Sequence, residues 1–324
     1  MLGCKQPGHA TSRLKPEERH SHAVGFSLVH VRRHFSAATR DDAMITSTSN
    51  QHIARLHTLH TPKGRAQEQA WLIEGPHLLE AALDAGVLPQ LIVYDPDRFS
   101  HDANGRRLLN RLEEARASGA EVYDATPAAI ERASDTRTPQ GIVAAVAIAD
   151  VAPEKLRARR RGRMRPILLV LDAISDPGNL GTILRSALAA DVDEVLLGPD
   201  CADPLSPKVV RAGSGAHFHL PVRADLDWKA IQQVVFGAPT VQQVLVTEAN
   251  AHRAYDTCDL TQRTALLIGN EAHGISAGAR ALATDAISIP MWNKVESLNA
   301  AIAASVILFE AARQRRAAET TTNT

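Results

Sequence analysis

Ile167-Leu168-Leu169-Val170-Leu171, then Asp172 to Ser175, Asp176-Pro177-Gly178-Asn179 and Leu180 to Ala190 form the stretch whose reading decides the fold. Five consecutive apolar residues without polar alternation read as a strand buried on both faces, the pattern of parallel sheets. Asp176 to Asn179 carry turn chemistry: Asp and Asn side chains bond local backbone, and Pro presets φ. An apolar helical run then reaches Ala190. Downstream, Glu194 to Leu197, Gln243 to Thr247, Ala265 to Ile268 and Ala286 to Ile289 read as further strands. A long helix rich in Ala, Ile, Leu and Val is expected from Leu298 to Arg313, with a frayed polar tail after Arg316.

Upstream, the alternation of strand and helix repeats on a smaller scale. Ile53, Leu56 and Leu59 sit at helical spacing. Trp71 to Gly75 read as strand and turn, His77 to Ala85 as helix, and Gln90 to Tyr94 as strand. Arg107 to Ser118 read as a helix closed by Gly119, Pro127 to Ala133 as a short helix, and Gly141 to Ala147 as a final strand. Strands alternating with helices indicate an α/β layer fold. A chain of 324 residues is long for one domain, and two are expected.

Between the halves lies Lys155 to Arg165, in which seven of eleven residues are basic. Such a run repels itself and resists burial, so it reads as a linker, either a solvated tether or a phosphate contact. The expected organisation is an extension over 1–43, a first α/β domain over 44–150, a linker over 151–165, a second domain over 166–316, and a disordered tail over 317–324. The extension holds Arg13, Arg19, Arg32, Arg33 and Arg40 without apolar periodicity, the composition of a disordered segment. Its Arg and Ser content also suits a mitochondrial transit peptide, against which Glu17 and Glu18 count.

Bulk properties narrow the function. Net charge is zero, so any nucleic-acid surface must be a local patch. Cys4, Cys201 and Cys258 are dispersed, which disfavours disulfides and zinc and fits a reducing compartment. No apolar run is long enough for a bilayer, and Val24 to Val31 is too short for a signal core. Gly213-Ser214-Gly215 is no dinucleotide fingerprint, because Phe218 stands where the third glycine belongs. No phosphate-binding P-loop or hydrolase elbow exists, which removes nucleotide and ester hydrolases. His30 and His34 have metal spacing, and His217 and His219 would share a strand face, but no Cys or carboxylate ligand accompanies either pair.

Three segments remain. Asp172 to Ala187 leaves a strand end and places Arg185 among apolar helix residues, where snorkelling to solvent is the ordinary role. Leu266 to Ser276 leaves a strand through Gly269, and Glu271 could contact a ligand or cap a helix. Ile287 to Asn299 leaves a strand, loops, and sets Ser297 before an apolar helix as a candidate N-cap. Three polar loops at strand ends suggest one shared pocket.

These segments, in this order, closely resemble the motifs of the SpoU-type (TrmH) RNA methyltransferases of the SPOUT superfamily. Asn179, Gly181 and Arg185 match the first motif. Gly269, Glu271 and Gly274 match the second, and Ile289-Pro290-Met291 with Ser297-Leu298-Asn299 the third. Ser206 to Ala216 resembles the intervening segment. Asn293 departs from the family's glycine, and Asn tolerates left-handed backbone better than most residues. Asn50, Arg65, Glu74-Gly75 and Thr138 to Ile142 resemble the small α/β RNA-binding domain that precedes many such domains.

The resemblance implies a SPOUT-type parallel sheet with a C-terminal trefoil knot, a homodimer, and S-adenosylmethionine held by Gly269, Ile289 and Leu298. It implies methylation of a ribose 2′-hydroxyl in RNA, ribosomal RNA being favoured over transfer RNA, in the cytoplasm or, alternatively, the mitochondrion. Arg185 is then the catalytic arginine, with Asn179, Glu271, Ser297 and Asn299 orienting it and the ribose. A guanidinium is not deprotonated in proteins, so Arg185 is assigned to charge stabilisation and phosphate positioning. No metal is required. The competing reading is an RNA- or ribosome-binding protein of this fold without catalysis.

Overall fold

In the computed structural model, the described residues are 44–159, 166–237, 241–270, 273–293 and 295–322. The extension over 1–43, the basic residues 160–165 and Glu271 lie outside them.

The first half is built on strands β1 (Ala70–Glu74), β2 (Leu91–Tyr94), β3 (Glu121–Asp124) and β4 (Ile142–Ala147), in the order β1-β4-β2-β3. β4 pairs antiparallel with both neighbours, and β2 with β3 is parallel. Around this sheet lie helices α1 (Gln51–Thr58), α2 (Pro62–Glu68), α3 (Pro76–Asp84), α4 (Pro96–Phe99), α5 (Ala103–Ala117) and α6 (Pro127–Ala133). β1 and β2 are buried along their whole lengths because both faces are covered, so neither strand alternates. One layer holds Ile53, Leu56 and Ala129, the other Leu79, Leu108 and Leu112.

The second half is a seven-stranded parallel sheet of β5 (Ile167–Leu171), β6 (Glu194–Leu197), β7 (Val222–Arg223), β8 (Gln243–Thr247), β9 (Arg253–Ala254), β10 (Thr264–Ile268) and β11 (Asp285–Ser288), ordered β7-β6-β5-β10-β8-β11-β9. Helices α7 (Pro153–Arg159), α8 (Pro177–Ala189), α9 (Pro207–Gly213), α10 (Trp228–Val235), α11 (Ala277–Arg280) and α12 (Ala300–Thr322) complete it. β5 and β10 lie side by side in mid-sheet, so the loops leaving their carboxyl ends are neighbours. Ligands of open α/β sheets bind at such ends. On one face, α8 and α12 pack through Leu180, Ile183, Leu184, Ala304, Ile307 and Leu308.

Several expectations are corrected. The start of the basic run is not a solvated tether. α7 buries Leu156 to 1% exposure, Arg157 pairs with the buried Glu194 at 3.5 Å, and Lys155 pairs with Asp150. Residues 317–322 are helical where a frayed tail was expected, since α12 continues to Thr322. Its later turns are pinned to the 258–262 segment: Arg315 donates to the Leu260 and Gln262 carbonyls, and Gln314 donates to that of Cys258. His217 and His219 do not share a strand face. Residues 216–218 form a 3₁₀ turn that buries His217.

The two halves share a core. Val210 and Phe218 pack in the cluster of Trp71, Ile73 and Leu79, and Trp71 lies with its ring centroid 5.4 Å from Phe218 and 5.6 Å from His217. Charges close the seam. The guanidinium of Arg65, 4% exposed, donates to the Leu59 carbonyl at 2.7 Å and to the Asp203 carboxylate. Buried Glu74 accepts from Thr136 Oγ1 and the Asp135 amide and faces Arg211, which pairs with Asp135 at 2.9 Å.

His217 makes this seam sensitive to acid. Its Nε2–H donates to the Pro204 carbonyl at 2.8 Å, while Nδ1 is buried without a partner. Burial pushes its pKa down from 6.5 to about 4, against the opposing pull of Pro204 and Asp203. The unfolded chain therefore binds this proton more tightly. Its contribution to stability is complete above about pH 6.5 and is lost as pH falls towards 4, amounting to about 2 kcal/mol at pH 5. Urea unfolding at pH 7.5 and pH 5 should show that loss, and His217→Phe should flatten the pH dependence. An equal slope in the variant would contradict the assignment.

Candidate active site

The three segments converge. At the end of β5, Asp172 is 3% exposed, and its Oδ2 accepts from the Ser276 amide at 2.6 Å. Asn270 Nδ2, at the end of β10, donates to the Ala173 carbonyl at 2.9 Å. Two strand-end loops are thus tied together by side chains to which sequence reasoning gave no role. Asn270 and Gly274 exchange backbone hydrogen bonds at 3.1 and 2.9 Å. A Cβ at Gly269 would meet the Gly274 carbonyl oxygen at 2.4 Å, so only glycine fits without moving backbone.

The first and third segments also join. Asp176 caps α8 through the Asn179 amide at 2.8 Å. Asn299 Nδ2 donates to Asn179 Oδ1 at 3.0 Å across 120 residues of sequence. The expected N-cap of α12 is corrected here. Asn299, not Ser297, accepts from the first-turn amides of Ala301 and Ile302, at 2.9 and 3.3 Å. Further along, Ser186 and Ser305 hydroxyls meet at 2.7 Å and fix α8 against α12.

These ties frame a cavity of about 380 Å³. That volume suits a nucleoside-sized ligand, since small-molecule sites occupy roughly 300–1,000 Å³. Gly269, Ile289, Leu298 and Ser297, all expected site residues, line it. Thr247 and Glu248 line it too. They were missed, although their position at the end of β8 was a usable signal. Glu248 is held by Arg280 at 2.7 Å. Asn179 and Asn299 stand beside the cavity rather than in its wall. Arg185 is exposed on α8 and does not line it. Glu271 falls outside the described residues.

The cavity's composition fits S-adenosylmethionine. Ile268, Ile289 and Leu298 offer flat apolar contact for an adenine, Gly269 allows close approach to backbone, and the Glu248 and Glu296 carboxylates and the Ser297 hydroxyl offer partners for cationic and hydroxyl groups.

The chain is similar to known proteins along most of its length. Residues 166–309 match the SpoU rRNA Methylase family, and residues 50–144 match the MRM3-like substrate binding domain. An uncharacterised tRNA/rRNA methyltransferase of Synechocystis is 34% identical over 296 residues, covering 87% of this chain and 98% of the relative. The 23S rRNA (guanosine(2553)-2′-O)-methyltransferase RlmP of Bacillus subtilis is 33% identical, covering 82% and 97%. The crystal structure of the SpoU methyltransferase AviRb from Streptomyces viridochromogenes with AdoMet superposes with a TM-score of 0.71 at 28% identity, covering 82% of this chain and 98% of that one. Motifs, cavity and relatives agree: the chain belongs to the SpoU rRNA methylase family of S-adenosylmethionine-dependent RNA methyltransferases.

Proposed function

We propose that the protein methylates a ribose 2′-hydroxyl of ribosomal RNA. The observation that carries this reading is the Asn299–Asn179 hydrogen bond beside a cavity lined by Gly269, Ile289 and Leu298, which brings the first and third motifs to one place. A 23S ribosomal RNA enzyme among the relatives favours that substrate over transfer RNA. S-adenosylmethionine supplies, when bound, a methyl group on a positively charged sulfur.

The ribose hydroxyl is a poor nucleophile near neutral pH, so the protein must stabilise the negative charge that grows on its oxygen. Arg185 does this as a permanent cation and holds a neighbouring phosphate. Asn179 and Asn299, fixed by each other, orient the ribose together with Ser297 of the cavity wall, and Glu271 is assigned the same orienting role. The chain threads its third motif through the loops of the first and second as a trefoil knot. The first half of the chain presents RNA to this site, and the protein works in the cytoplasm. Transfer of labelled methyl from S-adenosylmethionine to an unmodified large-subunit ribosomal RNA transcript, with mapping of the modified ribose, tests the reading. Cofactor binding without transfer would favour a non-catalytic RNA-binding protein instead.

The working unit is a homodimer. Ile302 and Phe309 of α12 are 53% and 48% exposed and lie two turns apart on one helix face. Arg185 is exposed on the helix packed against α12. A second copy covering this face would bury the apolar pair. Ile302→Asp should halve the particle mass measured by light scattering and leave the fold intact. An unchanged mass would remove this face as the interface.

A further inference from the structure

Trp292 has the most exposed large apolar side chain among the described residues, at 76%. The other two tryptophans are covered: Trp71 is fully buried, and Trp228 packs on the core beside Leu226 and Val234. The placement of Trp292 is specific. Met291 before it lines the cavity, as do Glu296, Ser297 and Leu298 after it, while Trp292 itself does not. Asn293 has φ +58°, and the Val295 amide donates to the Trp292 carbonyl at 3.3 Å, so the backbone turns directly after the ring. Trp292 therefore stands outside the cavity wall, with wall residues on either side of it in the chain. Val295, 50% exposed, extends the apolar surface.

An indole presents a large apolar face, and leaving it in water forfeits the burial that normally accompanies tryptophan. The ring carries no charge and one N–H donor, so it is a poor phosphate contact and a good stacking surface. A ribose cannot reach a methyl donor in the cavity without bringing its own base and its neighbours' bases to the rim. Enzymes that act on a nucleotide take it out of its stack, and RNA-binding proteins replace lost stacking with aromatic side chains.

We propose that Trp292 is a stacking platform for an unpaired nucleobase of the substrate RNA, at or next to the nucleotide whose ribose is methylated. The proposal rests on the reading of the cavity as the methyl-donor site. It assigns to this loop a part in choosing the nucleotide, separate from cofactor binding.

The test uses the full chain, Trp292→Ala, Trp292→Phe and an unmodified large-subunit ribosomal RNA transcript. Trp292→Ala should weaken RNA binding by about 10-fold or more and raise KM for RNA in parallel. Affinity for S-adenosylmethionine, particle mass and melting temperature should stay as in the wild type. Trp292→Phe should recover most of the affinity. RNA should quench the emission of the wild-type protein and leave that of Trp292→Phe little changed. Wild-type RNA affinity in Trp292→Ala would overturn the inference. A halved particle mass in Trp292→Ala would also overturn it, by showing that a second copy covers the ring. A wild-type protein that neither binds nor methylates the transcript would overturn the proposed function and this inference with it.

Discussion

Arg185→Ala is expected to lower kcat/KM for methyl transfer by about 100- to 1,000-fold, the scale of losing one preorganised charge-stabilising group. Cofactor affinity and melting temperature should barely change. The side chain is exposed on α8, so its truncation removes no buried packing. Exposed substitutions of that kind usually alter stability by about 0.5 kcal/mol or less. The cavity wall does not include Arg185, which separates its role from cofactor binding. Arg185→Lys keeps the charge and loses the planar fork, and should fall between the two. Single-turnover methyl transfer with saturating cofactor reads the chemical step directly. Near-normal turnover in Arg185→Ala would end its assignment as the charge-stabilising group.

Asp203→Ala should destabilise the protein by about 3 kcal/mol, the low end for breaking a buried ion pair. The asymmetry of the pair gives the reason. The side chain of Arg65 is 4% exposed, whereas that of Asp203 is 37% exposed. Removing the carboxylate strands a cation that water cannot reach, with the Leu59 carbonyl as its remaining partner. Asp203 Oδ1 also accepts from the Leu205 amide at 2.8 Å, a bond lost as well. Replacing both members, as Arg65→Met with Asp203→Leu, removes the stranded charge and should recover most of the stability. Urea unfolding of the single and double variants measures both terms. A single-variant loss below about 1 kcal/mol would mean that water reaches Arg65 after all, as it does at surface pairs.

The position of this pair changes the meaning of two sequence signals. Arg65 and Glu74 resembled features of an RNA-binding domain. In the folded chain both face the second half, Arg65 through Asp203 and Glu74 towards Arg211. They fix how the substrate domain sits against α9. That helix in turn packs closely on α8, where a Cβ on Gly181 would meet the Val209 carbonyl oxygen at 2.5 Å. The substrate domain is thereby joined through α9 to the helix bearing Asn179 and Arg185.

By itself the sequence determined the longer strands, though not the two-residue β7 and β9, and the order of the site loops. β5, β6, β8 and α6 have the bounds expected from their apolar runs and flanking turns, because buried strands and capped helices are written in neighbouring residues. The same local grammar placed polar loops after β5, β10 and β11. Tertiary structure alone decided what those loops do to one another. The Asn299–Asn179 bond, the ties from Asp172 and Asn270, the burial of His217 and the pinning of α12 at Gln314 and Arg315 join residues apart in the chain. No periodicity encodes such partners, since a hydrogen bond depends on where two backbones meet in space rather than on what precedes either residue.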